Sequence, residues 1–182
     1  MRWWGWGEDG HAVPLSPAAE DLLRDELGAD PSVRKPPVPF DQVSLPDPGL
    51  PQPVRERLVT ALGAEGLRDD RETRIGHAVG RSYPDLVRIR SGDASSAPDA
   101  VALPASAELV AAVLGLCAEH RVAVVPFGGG TSVVGGVEPV REGFAGVVSL
   151  DLGRLAATVD VDRTSLTARV DAGLLGPELE RR

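Results

Sequence analysis

Hydrophobic and polar positions follow two different periods along this chain, and the second half carries the clearer pattern. Residues 100–104, Ala-Val-Ala-Leu-Pro, form one short apolar run and residues 122–125, Val-Ala-Val-Val, form another. Short apolar runs of this kind predict strands covered on both faces. Between them Ser106 supplies a helix N-cap, and Leu109, Val110, Val113, Leu114, Leu116 and Cys117 spread over an arc too wide for a surface helix. The spacing therefore predicts a well-buried helix ending near His120. Strand, helix and strand over this length make a βαβ unit, with the right-handed crossover such units adopt. Residues 146–152 predict a further strand. Val159 and Val161 alternate with Asp160 and Asp162, and Leu166, Ala168 and Val170 alternate with Thr167, Arg169 and Asp171. That alternation predicts a hairpin with one wet face, turning over residues 162–165. Gly176 and Pro177 open a last helix that has run for one or two turns at Arg182, so the sequence reads as the N-terminal part of a longer enzyme.

The first half is patterned more loosely. Ser16, Pro17 and Gly28 bracket a helix over Pro17–Leu27, with Ala19, Leu22, Leu23 and Leu27 on one face. Eight prolines then fall within residues 30–53, Pro31 among them, which predicts an extended segment wrapped over a surface. A second helix is predicted over residues 53–62, carrying Val54, Leu58 and Leu62. Arg88 and Arg90 alternate with Val87 and Ile89, which predicts a short strand or extended segment. Residues 1–97 thus form an appendage without a core of its own, and the domain proper spans residues 98–182.

Candidate chemistry concentrates after the 122–125 strand. The sequence continues Pro126-Phe127-Gly128-Gly129-Gly130-Thr131-Ser132-Val133-Val134-Gly135-Gly136. Adjacent glycines let a ligand approach the backbone, and successive N–H groups can form a concave anion site, to which Thr131 and Ser132 add hydroxyls. No Lys or Arg lies between Arg121 and Arg141, so an anion here would be held by backbone and hydroxyls. A P-loop is excluded because no Gly-Lys-Ser/Thr follows. A dinucleotide fingerprint is excluded because its glycines are spaced and open a helix. On composition alone, a plain glycine-rich connection between strands fits equally well.

Charge and cysteine content narrow the field. The net charge of −8 argues against nucleic acid and anionic membrane as partners. No apolar run approaches a membrane span, and the start, Met1-Arg2-Trp3-Trp4-Gly5, lacks the apolar core of a signal peptide. The lone Cys117 forbids an internal disulfide and fits a reducing, cytoplasmic compartment. Cys117 and His120 stand three apart on one helix, but the other histidines are His11 and His77 and a zinc site needs three or four ligands, so no metal is expected. His120 is read as an interaction with its helix's carboxyl end. His77 is read as structural, and Trp3, Trp4 and Trp6 as an anchor docking the terminus.

The run PFGGGTSVVGGVEP resembles the pyrophosphate loop of the FAD-binding (PCMH-type) domain of the vanillyl-alcohol oxidase flavoprotein superfamily. RWWGWG near the start, GHAVGRSYPDLVRIRSGD at residues 76–93 and DAGLLGPELERR at the end narrow the resemblance to the alkyldihydroxyacetonephosphate synthase-like branch. The resemblance implies an α+β fold, the first part of a PCMH-type FAD-binding domain behind a helical, proline-rich appendage. It implies FAD as cofactor, held by Pro126, Phe127, Gly128, Gly129, Gly130, Thr131, Ser132 and Val133. It implies a small-molecule or lipid-type substrate bound by later sequence, and a homodimer as the full-length form. The branch exchanges an acyl for an alkyl group on dihydroxyacetone phosphate, whereas other members oxidise 2-hydroxy acids. A non-catalytic remnant is the third alternative. No catalytic residue is expected within these 182 positions.

Overall fold

The computed structural model describes residues 2–7, 10, 14–30, 33 and 35–182; Met1, His11 and Pro31 lie outside the described residues. The centre is a four-stranded sheet of β1 (Leu67–Arg68), β2 (Ala100–Ala102), β3 (Val122–Phe127) and β4 (Gly146–Asp151), in the order β1-β2-β4-β3. β2, β3 and β4 run parallel, and β1 pairs antiparallel with β2. The predicted strand–helix–strand unit is present, with α5 (Ala107–Glu119) as its helix. β4 inserts between its two strands, so the crossover steps over one position. β4 is the buried centre: Val147, Val148 and Ser149 are fully covered.

The two faces of β4 are covered differently. Val148 and Leu150 join a cluster with Val54 and Leu58 of α2 (Gln52–Leu62) and with Val113 and Cys117 of α5. Successive residues of a strand point to opposite faces, so Val147, Ser149 and Asp151 face the other layer. That layer is built from residues 38–45 and 71–97. It includes α3 (Arg71–Gly76) and α4 (Tyr83–Arg90), and it holds a smaller cluster of Val43, Ile75, Ala78, Val79, Ile89 and alanines. The first helix, α1 (Pro17–Leu27), stands exactly where capping places it: Ser16 Oγ accepts from the Ala19 N–H, and Gly28 adopts φ 61°.

Three expectations fail for identifiable reasons. Residues 87–90 are helical, because Ser82 and Asp85 form a reciprocal capping box and Pro84 sits in the first turn; this local start signal outweighs the alternation of Val87 and Ile89. α5 buries only Val113 and Cys117, and Leu114 is 46% exposed, because α2 and β3 cover one side of it. The hairpin of β5 (Val159–Asp162) and β6 (Thr167–Val170) forms as predicted, but both faces are open, with Val161 58% exposed. The short α6 (Gly176–Arg181) completes the chain. No helix among the described residues is long and apolar enough to cross a membrane.

One buried carboxylate joins these layers. Asp99 is fully covered, and its oxygens accept from the Gly49 N–H, the Val147 N–H and Arg141 Nη1, each at 2.7 Å. Asp99→Ala would leave two backbone donors and a guanidinium without their acceptor. The variant should lose about 3 kcal/mol of stability in urea denaturation, and Arg141→Ala a comparable amount, since it leaves the covered carboxylate with two N–H donors and no countercharge.

Candidate functional site at the glycine loop

The glycine loop leaves the carboxyl end of β3, the end at which parallel sheets bind ligands. Pro126 and Phe127 still belong to the strand. Phe127 is buried, and its ring lies tilted against His77 at 4.1 Å between centroids. Gly130 follows at φ 66°, and a Cβ there would stand 2.6 Å from Phe127 Cζ, so glycine is required by both backbone and ring. Gly129 differs. Its φ is ordinary, and a Cβ would meet only the Thr131 methyl at 3.7 Å. No other atom of the described residues lies within 4 Å of that position.

The loop's backbone donors are left without acceptors among the described residues. None of the backbone N–H groups of residues 128–135 donates a hydrogen bond to any other described residue. Gly128, Gly129, Thr131 and Val133 are exposed, Gly130 is buried and Ser132 is half-buried. Ser132 Oγ accepts from the Gly136 N–H at 3.0 Å, closing the turn and keeping its own proton to donate. The exit is clamped from below: the Arg81 N–H donates to the Ser132 carbonyl at 2.7 Å, and a Cβ on Gly80 would stand 2.3 Å from that oxygen. Farther along, Arg88 bridges Glu138 at 2.6 Å and Asp85 at 2.7 Å, which fixes the returning segment to α4.

His77, read as structural, and Trp3 and Trp4, read as an anchor, come to the same place. Arg2, Trp3, Trp4, Thr73, His77 and Arg81 border one cavity with Phe127 and Gly129, of about 600 Å³. The tryptophan turn does dock, as its aromatic content predicts: Trp3 meets Phe40 edge-on at 5.6 Å, and Arg81 donates to the Arg2 carbonyl at 3.2 Å. It also forms a wall, which composition could not reveal. His77 Nδ1 donates to the Thr73 carbonyl at 2.8 Å, while Nε2 faces Asp151 Oδ2 at 3.0 Å. Asp151 ends β4, so the histidine ties α3 to the strand beside the loop. The only sequence signal for this pair was a histidine between glycines and an aspartate ending an apolar run. His120 caps α5, and its ring accepts from Arg57 at 2.7 Å, so its partner lies on α2 as well as at its own helix end.

Three comparisons bear on this site. Residues 98–182 match a family model described as an FAD binding domain. The chain is 33% identical over its whole length to alkyldihydroxyacetonephosphate synthase of Dictyostelium discoideum, of which it covers 34%. It is 30% identical over 70% of its length to glycolate oxidase subunit GlcD of Bacillus subtilis, of which it covers 24%. A solved structure of alkyldihydroxyacetonephosphate synthase superposes on the entire chain with a TM-score of 0.84 and 28% identity, and the chain covers 38% of it. The chain thus spans about a third of the length of the first of these relatives.

The His77–Asp151 contact has a pH signature. Burial raises the Asp151 carboxyl, but the hydrogen bonds from His77 and the Gly153 N–H, with the nearby charges of His77 and Arg154, outweigh it and hold the carboxyl below its ordinary value. A carboxyl lowered in the folded state stabilises fully above the ordinary carboxylate range, and that stability disappears as pH falls through the folded value. Asp151→Asn should therefore be less stable than the parent at pH 7 and converge on it in acid, as followed by urea midpoints across pH 2–7.

Proposed function

The chain belongs to the FAD-binding flavoprotein family that includes alkyldihydroxyacetonephosphate synthase, and from that premise we propose that residues 126–133 hold the FAD pyrophosphate in a flavoenzyme of which this chain is one portion. The observation that carries the assignment is the run of backbone donors without protein partners at the carboxyl end of β3, with open space before Gly129. These residues fit an anion. Phosphate oxygens would replace water on the N–H groups of residues 128–132, the hydroxyls of Thr131 and Ser132 would add donors, and no fixed cation is required. FAD bound there would supply the reactive ring; this chain's contribution is to hold, orient and shield it. The domain proper is taken as residues 98–182, with residues 1–97 wrapped against it. Substrate binding and the homodimer are assigned to the longer protein, in a cytoplasmic setting.

The reaction we propose is the exchange of an acyl for an alkyl group on dihydroxyacetone phosphate, since the similarity to the synthase extends over the whole chain, including the tryptophan turn and residues 76–93. The similarity to the glycolate oxidase subunit supports a second reading, oxidation of a 2-hydroxy acid. Anaerobic mixing separates them. The first reading expects an ether product from acyl-dihydroxyacetone phosphate and a fatty alcohol; bleaching of the flavin by a 2-hydroxy acid, with no ether product, selects the second.

The loop assignment has its own test. Gly129→Val introduces a side chain where the protein has none, so folding stability should stay within about 0.5 kcal/mol of the parent. The same side chain should exclude the phosphate. In the full-length flavoenzyme the variant should purify colourless and soluble; a yellow variant with parental flavin content refutes the assignment.

A further inference from the structure

No residue of α1 is buried, and Leu22 and Leu27 on its apolar side are 61% and 74% exposed. A helix of 11 residues is short to stand alone, since isolated helices under roughly 12–15 residues are marginal in water. Its caps help, but a face carrying Leu22, Leu23 and Leu27 is stabilised chiefly by being covered. The helix is also acidic. Glu20, Asp21, Asp25 and Glu26 stand against Arg24 alone, and Arg24 is paired with Asp21 at 2.7 Å.

A surface of complementary character flanks α1 in the sequence. A groove of about 600 Å³ is bordered by Trp4, Trp6, Lys35, Tyr83, Val87 and Arg90. It shares Trp4 with the cavity at Gly129, but no residue of the glycine loop borders it. Trp6, Tyr83 and Val87 are all exposed, an apolar patch of the kind that marks an interaction site. The charge of the groove is the reverse of the chain's. Arg2, Lys35 and Arg90 border it and no acidic side chain does, in a chain of 27 acidic and 19 basic residues. Arg2 and Arg90 lie over the Trp4 ring, while the Lys35 ammonium has no ion pair among the described residues.

We propose that this groove receives α1 of a second copy of the chain, with its leucines over Trp6, Tyr83 and Val87 and its carboxylates toward Lys35 and Arg90. Amphipathic helices fill apolar grooves in this way, and flanking charges select the partner. The chain does not fill its own groove: α1 is tethered beside it on both sides, yet helix and groove are both uncovered in one copy. Because the helix starts from the groove's own rim, two copies that meet there exchange helices reciprocally. Such a contact closes on a two-fold axis and leaves no free half to propagate. The inference gives a surface to the homodimer assigned above, and it uses none of the residues proposed to hold the phosphate.

The test uses the full-length flavoenzyme. A Leu22→Cys form would be co-expressed with a differently tagged Val87→Cys form, both positions being exposed. Mild oxidation of the purified mixture, followed by mass spectrometry, reads which residues become linked. The expected product is a disulfide from residue 22 of one copy to residue 87 of the other. Lys35→Glu on the Val87→Cys copy should lower its yield about fivefold, as loss of an exposed ion pair does. Glu26→Lys on the Leu22→Cys copy should then restore it, which a merely structural role for Lys35 would not allow. Flavin content reports the phosphate assignment separately, since none of these positions lies in the glycine loop. The inference is overturned if the co-expressed pair gives no link, or if Lys35→Glu leaves the yield unchanged. It is equally overturned if a chain carrying both cysteine substitutions links residues 22 and 87 within itself and remains a monomer.

Discussion

Asp99 sits where three parts of the chain meet, and much of the architecture depends on its two oxygens. They hold Gly49 at the end of the proline-rich wrap, Val147 in the central strand and Arg141 at the end of the segment that returns from the glycine loop. A carboxylate with no exposed surface is tolerable only when its acceptor sites are filled. Satisfying it fixes the wrap and the returning segment relative to β4. Arg74, also buried, repeats the arrangement with the opposite charge: it donates to the carbonyls of Pro98 and Pro46 and so ties α3 to the same region. The residues before the domain are thereby held against the sheet by polar contacts as well as by apolar packing, through Val54 and Leu58 on one face and the smaller cluster on the other.

This scaffold allows the glycine loop to stay open. Its exit is fixed by Arg81 and Gly80 under Ser132, and its entry by Phe127 under Gly130 and against His77. Between those fixed ends the N–H groups donate to no other described residue. A loop satisfied by its own carbonyls would be more stable alone but would have nothing to offer an anion. Arg88 is engaged with Glu138 and Asp85, Arg141 with Asp99, and Arg81 with the Gly80 and Arg2 carbonyls. Backbone dipoles are the means of holding charge that the loop itself supplies.

The sequence disclosed the elements with strong local signals and missed what depends on distant contact. Ser16 and Gly28 bounded α1, and the apolar runs placed β2, β3 and β4 in turn. The loop declared itself through its glycines. It could not be told there which glycine serves the fold and which leaves room, because that depends on where the Phe127 ring lies. The insertion of β4 between β2 and β3 was invisible, since a short strand carries no mark of its neighbours. Residues 87–90 show a true conflict, in which period-two alternation lost to a capping box three residues wide. Trp3 and Trp4 were readable as an anchor and His77 as a structural group, while nothing local singled out Arg81. Only the docking of Trp3 on Phe40 and of the Arg2 carbonyl on Arg81 brings them to one cavity.

The central claim is that backbone amides, not a charged side chain, hold the cofactor's phosphates. Amide hydrogen exchange on the full-length flavoenzyme with and without FAD reads those amides directly. The account predicts fast exchange over residues 128–135 in the apoprotein, since these groups donate to no other described residue, and marked slowing at residues 128–132 once FAD is bound. A protein that binds FAD while those amides exchange as fast as before would contradict it.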